Sequence, residues 1–223
     1  MPETILRIQE LRKSYFVGKR EIPVLRGINL TVRAGEFVAI VGPSGCGKST
    51  LLFHMGGMLR PTSGTVLIGG LDVAQLSDAA LTRLRRERIG FVFQRFNLLP
   101  ALDAEGNVRL ALSIRGANRS DGVVESLQAL GLSDRLRHRP RELSMGEQQR
   151  VAIARAIIHR PDILLADEPT GNLDSENAAQ IISIFRKLNQ ERGQTIVMIT
   201  HNKEAAALAE RVVPMKDGLI VNP

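Results

Sequence analysis

"GPSGCGKST", residues 42–50, stands between the apolar run "FVAIV" (37–41) and the helix-like segment "LLFHMGGML" (51–59). A short run that is apolar throughout reads as a strand buried on both faces. A strand, then G-x-x-x-x-G-K-[ST], then a helix is the context that a phosphate-binding loop requires. The glycines let backbone N–H groups turn inward around a β-phosphate. Lys48 reaches the β- and γ-phosphates, and the Ser49 hydroxyl ligates Mg²⁺. The nucleotide-binding residues read from this stretch are Gly42, Pro43, Ser44, Gly45, Cys46, Gly47, Lys48, Ser49 and Thr50. Cys46 reads as a small loop residue whose thiol becomes shielded once nucleotide binds.

Working outward, the chain alternates strand-like and helix-like runs. Before the loop lie "ILRIQEL", "INLTV" and a turn at "RAGE"; after it come a break at "PTSG", the strand "TVLIGG", and a helix "DAALTRLRRER" capped by Ser77. From "RFNLLPAL" to "HRPREL" the pattern changes to helices only, "VRLALSI" and "VVESLQAL", with Gly116 and Gly131 as stops. Alternation resumes with a helix from Glu147, the strand "ILLAD", the helix "SENAAQIISIFRKL", the strand "TIVMIT" and a helix from Asn202. A final hairpin turns at Asp217-Gly218. This predicts a single α/β domain over 1–223, with a parallel-sheet core, strand-rich ends and a helical insertion over approximately 95–160.

"ILLADE" (163–168) is an apolar strand ending in two carboxylates. In a doubly wound sheet such an end lies beside the phosphate loop. Asp167 there holds Mg²⁺ through water, and Glu168 polarises an attacking water. Gln94 and His201 also follow strand-like runs, "IGFVFQ" and "TIVMITH". Alone, each reads equally as a satisfied structural residue; together on the ligand-bearing edge they are candidate sensors of the γ-phosphate and metal. A second anion-seeking helix start lies at "LSMGEQQR" (143–150), where Ser144 precedes a polar run and then Val151, Ala154 and Ile158 at helical spacing.

Composition narrows the function classes. The one cysteine excludes an internal disulfide and fits a reducing compartment. The N-terminal residues lack the apolar middle of a signal peptide, and no stretch approaches the roughly 18 apolar residues of a membrane span. A soluble or peripheral chain is therefore expected. The net charge of +7 comes from arginines interleaved with apolar and acidic residues, with a single Tyr and no Trp. That pattern reads as solvated helix faces and argues against nucleic acid as partner.

The ordered series "GPSGCGKST", "FVFQ", "LSMGEQQR", "ILLADE", "GNLD" and "ITH" resembles the full motif set of the ATP-binding-cassette (ABC) ATPase subunits, a phosphate-loop NTPase fold with an N-terminal antiparallel β subdomain. "EPTGNLDS", "RRERIGFVFQRFNLLPAL" and the long first hairpin "YFVGKREIPVLRG" resemble one branch, that of the macrolide-exporter, lipoprotein-release and cell-division ATPases. The resemblance implies an ATPase using ATP and Mg²⁺, catalysis by Lys48, Gln94, Glu168 and His201, and metal ligation by Ser49, Gln94 and Asp167. It also implies a head-to-tail dimer of two copies. In it Ser144, the Gly146 backbone and Glu147 contact a partner's nucleotide, Tyr15 stacks on adenine from its own subunit, and Asp174 lies at the seam. Gln94 then also faces a separate transmembrane permease, and His201 holds the γ-phosphate. The chain would be cytoplasmic, peripheral on the inner face of the cell membrane.

Met145 departs from the usual glycine of the family, and a flexible side chain there either slows dimer closure or points away from it. Glu147 replaces a common Gln, a change known within the branch. The implied work is export or extraction of lipoproteins, peptides or hydrophobic drugs. The alternative is a regulatory ATPase of a cell-division complex that drives cell-wall hydrolysis without transport. Soluble DNA-repair or translation ATPases of the superfamily carry coiled coils or a second cassette, and this sequence shows neither. Phe96, Leu98 and Leu99 of "RFNLLPAL" are costly to expose on a lone domain, which makes that segment and the helical insertion the expected permease contact.

Overall fold

The computed structural model of the chain describes residues 3–116 and 122–221. In chain order it forms β1 (Thr4–Val17), β2 (Arg20–Arg33), β3 (Phe37–Val41), α1 (Lys48–Met55), β4 (Ser63–Ile68), β5 (Leu71–Asp72), α2 (Asp78–Arg88) and β6 (Ile89–Val92). There follow α3 (Ala104–Ile114), α4 (Val123–Ala129), α5 (Met145–Ile157), β7 (Ile163–Asp167), α6 (Ser175–Arg192), β8 (Thr195–Ile199), α7 (Lys203–Ala206), β9 (Arg211–Lys216) and β10 (Leu219–Ile220).

Two sheets result. The first is antiparallel, in the order β2-β1-β4-β5. Its long hairpin turns at Gly18, whose φ of 61° suits glycine. Along β1, Leu6 and Ile8 are buried while Arg7 and Gln9 are exposed. A register shift between Ile8 and Leu11 then returns Leu11 to the core face. The second sheet runs β10-β9-β3-β8-β7-β6, with β9, β3, β8, β7 and β6 parallel to their neighbours and β10 antiparallel to β9. Its central strands are apolar but for Thr195 and Asp167 at strand ends, because both faces are covered.

One hydrophobic cluster fills the space between the sheets and around α1, with Leu6, Ile8, Leu25, Ile40, Leu52, Met55 and Leu165. The opposite face of the parallel sheet packs Phe37, Leu164 and Ile196 against Ile181 and Phe185 of α6. A third cluster belongs to the helices between β6 and β7: Val108, Leu112, Val123, Leu127, Val151 and Ala154. Helix α5 serves both of the last two. Val151 and Ala154 face the helical cluster, as their spacing predicted, whereas Ile153 and Ala156 face the sheet. That second apolar stripe is why α5 is buried along most of its length, and it joins the helical layer to the core.

Details differ from the sequence reading. Helix α5 begins at Met145, two residues before the expected Glu147, because Ser144 is its N-cap. Ser77 caps α2 as predicted, accepting from the Ala80 N–H. Leu98, expected at the surface, packs against the helical cluster, and Phe96 is half-buried, so Leu99 is the exposed apolar side chain of that segment. Among the described residues no helix is long and apolar enough to cross a membrane.

Phe185 is among the largest fully buried side chains. Phe185→Ala should therefore lower stability by about 3–5 kcal/mol, read as a fall in the urea midpoint with an unchanged slope. A loss under about 1 kcal/mol would mean that the site collapses around the void.

Candidate nucleotide site

The site is built at the carboxyl ends of three neighbouring strands, β3, β8 and β7. In register, Ile199 of β8 lies opposite both Ile40 of β3 and Asp167 of β7. Each strand therefore releases its loop at the same level, and a cavity of about 630 Å³ opens there. It is lined by Gly42, Pro43, Ser44, Gly45, Gly47, Lys48, Ser49 and Thr50 of the loop, and by Gln94, Asp167, Glu168, His201 and Val24.

The loop between β3 and α1 requires its glycines. A Cβ on Gly42 would stand 2.1 Å from the Met215 carbonyl oxygen, so the β9 strand leaves no room for a side chain. Gly47 has φ 101°, which turns the chain into α1. The Gly218 N–H donates to the Cys46 carbonyl at 3.1 Å, so the final hairpin braces the loop from behind. Cys46 is the exception to the reading of this stretch. Its side chain is buried in the inter-sheet cluster and does not line the cavity. The fold itself, rather than bound nucleotide, shields the thiol.

Lys48 is 8% exposed, and its Nζ donates to the carbonyls of Gly42 at 2.8 Å and Pro43 at 2.9 Å. The ammonium is thus held inside the loop, where an incoming phosphate can exchange for a carbonyl. The Ser49 hydroxyl donates to Asp167 Oδ1 at 3.2 Å, placing two hard oxygen donors together. With the nearby Gln94 amide they suit Mg²⁺, which binds through one or two carboxylates and keeps water and phosphate ligands. No group of three or more His, Cys, Asp or Glu able to hold a metal unaided occurs among the described residues, and Mg²⁺ beside a triphosphate does not need one.

Burial pushes the Asp167 carboxyl above the usual carboxylate range, and the neighbouring Glu168 charge adds to this; the Ser49 hydrogen bond and the Lys48 charge oppose it. Glu168 adopts φ 45°, a left-handed conformation unusual for a side chain of its kind. Its backbone N–H donates to the Ile199 carbonyl at 3.0 Å. Its Oε2 accepts from the His201 N–H at 3.2 Å and lies 2.9 Å from His201 Nδ1. The carboxylate is thereby aimed by the end of β8, and His201, 70% exposed in its side chain, is its partner at the mouth of the cavity.

Gln94 is held by a residue that sequence reasoning left without a role. Asn172 donates to the Gln94 carbonyl at 2.9 Å, and the Gln94 amide donates to Asn172 Oδ1 at 3.4 Å. Gly171 lies against the same amide, since a Cβ there would be 2.9 Å from Gln94 Nε2. The signal was an uncapped Asn in "GNLD", too common in turns to stand out.

The remaining sequence candidates gather elsewhere. Ser144 accepts from the Glu147 N–H at 3.2 Å, and its own N–H donates to Glu147 Oε2 at 2.8 Å, a reciprocal cap. Burial disfavours the Glu147 carboxylate, but Ser144 and the Arg135 guanidinium, 2.8 Å from Oε1, outweigh it and hold the group below its ordinary range. Asp174 caps α6 by accepting from the Asn177 N–H at 2.8 Å, and it also accepts from the Asn177 amide at 2.7 Å. Asn177 in turn covers Gly146: a Cβ on that glycine would stand 2.0 Å from Asn177 Oδ1. Ser144, Gly146, Glu147 and Asp174 thus form one surface that does not line the phosphate-loop cavity. Gln149, buried on α5, ties this surface to the cavity by donating to the Pro169 carbonyl at 2.8 Å. Met145 is 53% exposed at the helix start, and Tyr15 is 42% exposed beside the Lys13 ammonium, 5.3 Å from the ring centre. Tyr15 also lies outside the cavity lining.

Comparison with known proteins bears on this arrangement. Residues 25–171 match the family model described as "ABC transporter". The lipoprotein-releasing system ATP-binding protein LolD of Geobacter metallireducens is 49% identical over 221 residues, covering 98% of both chains. The macrolide export ATP-binding/permease protein MacB of Rhodopirellula baltica is 48% identical over 97% of this chain, which spans 32% of that protein's length. Among solved structures, the ATP-binding cassette MJ0796, described as dimeric in a post-hydrolysis state bound to ADP and Pi, superposes with a TM-score of 0.90 at 42% identity over 97% of each chain.

The raised Asp167 carboxyl carries a linkage consequence. An acid whose folded pKa lies above its unfolded value gives stability that is present in its protonated form and lost as pH rises through the folded pKa. At about pH 7, on the alkaline side of ordinary carboxylate titration, Asp167→Asn should raise the melting temperature of the nucleotide-free protein, and with ATP added it should remove the response to Mg²⁺. The thermal advantage should shrink as the native protein is acidified. A lower melting temperature for the Asn variant at neutral pH would contradict the burial argument.

Proposed function

We propose that this chain, which belongs to the ABC transporter family, binds ATP between two copies of itself and hydrolyses it to power a separate membrane permease. The observation that carries the reading is the physical separation of two phosphate-seeking surfaces. One is the cavity of Lys48, Ser49, Asp167, Glu168, His201 and Gln94. The other is the Ser144–Gly146 helix start, which lies outside that cavity. A second copy brings the helix start of one chain to the triphosphate held by the other. The dimeric cassette among the structural neighbours supports this assembly.

The residue roles follow from position. The Lys48 ammonium leaves its two loop carbonyls for the β- and γ-phosphates, and Ser49 and Asp167 present oxygens to the metal, with Gln94 completing the set. Ser49, Asp167 and Gln94 would hold Mg²⁺, which would supply charge neutralisation at the phosphates. Glu168 orients the attacking water and accepts its proton, while His201 steadies the carboxylate and reaches the γ-phosphate. Ser144 and the Gly146 N–H contact the partner's γ-phosphate, with Glu147 locking the cap and Asp174 at the seam. Tyr15 stacks on adenine.

The permease is reached through the segment after Gln94, where Leu99 is exposed, and the chain sits on the inner face of the cell membrane. Its cargo, by similarity to the lipoprotein-releasing and macrolide-export relatives, is a lipoprotein, peptide or hydrophobic drug.

Glu168→Gln retains the shape of the side chain and removes the base. With ATP that variant should scatter light as a dimer and release phosphate at least about a hundredfold more slowly than the native chain; with ADP it should remain monomeric. Adding Lys48→Ala should abolish the dimer. A monomer under all nucleotides, at concentrations where the permease-bound form turns over, would overturn the shared-site reading.

A further inference from the structure

Among the residues assigned no role so far, Arg155 is the one whose bonds converge on the segment that carries Gln94. It lies on α5, about three turns after the Ser144 cap. Its Nη1 donates to the Asn97 carbonyl at 2.5 Å and its Nη2 to the Phe96 carbonyl at 2.7 Å. Those two residues are consecutive and both left-handed, with φ 42° for Phe96 and 51° for Asn97. Neither is glycine, so each is strained and persists only where its surroundings fix it. Among the described residues no other group binds these two carbonyls. The planar fork of a guanidinium meets two adjacent carbonyls with two separate nitrogens held in one plane.

The segment is anchored on each side of the strained pair. Upstream, Asn172 holds the Gln94 carbonyl. Downstream, Leu98 packs into the helical cluster, and the buried Asn107 accepts from the Leu99 N–H at 2.7 Å and donates to the Leu99 carbonyl at 3.2 Å.

We propose that Arg155 is a positioning residue: its guanidinium imposes the strained turn after Gln94 and so makes the placement of Gln94 follow the helix that starts at Ser144. A shift of α5 then moves the turn through the two Arg155 hydrogen bonds, and the main chain from residue 97 back to 94 carries that shift to the amide in the cavity. This rests on the reading of Gln94 as a ligand of the nucleotide-bound metal.

The test compares Arg155→Met, Asn97→Val, Asn97→Gly and the double variant Arg155→Met/Asn97→Gly with the native chain. Loss of charge-assisted bonds should raise hydrogen exchange of amides 95–98 in nucleotide-free Arg155→Met at least about tenfold. The Mg²⁺ concentration for half-maximal hydrolysis should rise by a similar factor, while ATP affinity without Mg²⁺ stays within about twofold. Asn97→Val, which resists positive φ, should raise the Mg²⁺ requirement in the same direction with Arg155 intact. It decides the matter if Arg155→Met does not fold. Glycine takes positive φ without steric cost, so Asn97→Gly alone should hydrolyse ATP normally, and in the Arg155→Met background it should recover at least half of the Mg²⁺ shift. A melting temperature that falls with no change in Mg²⁺ requirement, or no recovery by glycine, overturns the proposal. If the native chain hydrolyses no ATP, the functional reading fails instead, and the exchange data still decide whether Arg155 fixes the turn.

Discussion

The level ending of β3, β8 and β7 is the constraint on which the site depends. Ile199 pairs with Ile40 on one side and Asp167 on the other, so the phosphate loop, the two carboxylates and His201 leave the sheet at one height. The Ser49–Asp167 hydrogen bond spans the strand between them and records that alignment directly. A slip of one residue in the β7–β8 pairing would turn Asp167 toward the opposite face of the sheet. Apolar burial on both faces makes such a slip expensive, because every Val and Ile of the slipped strand would exchange environments. The chemistry is therefore held in place by the same burial that holds the fold.

Around that rigid centre, the helical layer is attached by different means. Its own cluster of Val108, Leu112, Val123 and Leu127 lies apart from the sheet, and α5, with the partly buried Leu130 just after α4, joins the two. Further connections are polar. Arg115 donates to the carbonyls of His159 at 2.6 Å and Glu87 at 3.1 Å, tying the end of α3 to the ends of α5 and α2. Gln149 reaches Pro169, and Arg150 reaches Gln180 at 2.8 Å. Individual hydrogen bonds of this kind contribute about 0.5–1.5 kcal/mol each, far less than a shared apolar core.

How much of this was legible in the sequence depends on the type of signal each residue leaves. The phosphate loop, Asp167 and Glu168 were readable because contiguous spacing and an apolar strand fix their surroundings locally. The alternation of strands and helices gave the parallel core for the same reason. The second apolar stripe of α5 went unread since Ala156 and Ile153 interleave with the first stripe on a helix that is buried nearly all round. Asn172, Asn177 and Arg155 act on main-chain groups or glycines far away in the chain, and a carbonyl looks the same whichever residue carries it. Cys46 and Leu98 were misplaced because neither burial nor exposure of a single loop residue is encoded by a period. The helix start at Ser144 was legible from its own residues, whereas Tyr15 was singled out only by the family resemblance; both lie outside the phosphate-loop cavity.

Gly146 and Met145 differ in what surrounds them, and the difference bears on how this signature can drift over generations. Asn177, tethered to Asp174, walls in position 146 so closely that even a methyl group would collide. Position 145, half open to solvent, meets no such wall within its own chain. Replacement at the first site must therefore displace Asn177 from Asp174 in the folded monomer itself, before any partner or nucleotide is met. At the second, selection can act only through what approaches from outside. The departure from the family's usual pair of glycines falls at the residue where the monomer is indifferent, which leaves that position available for tuning one assembly against another.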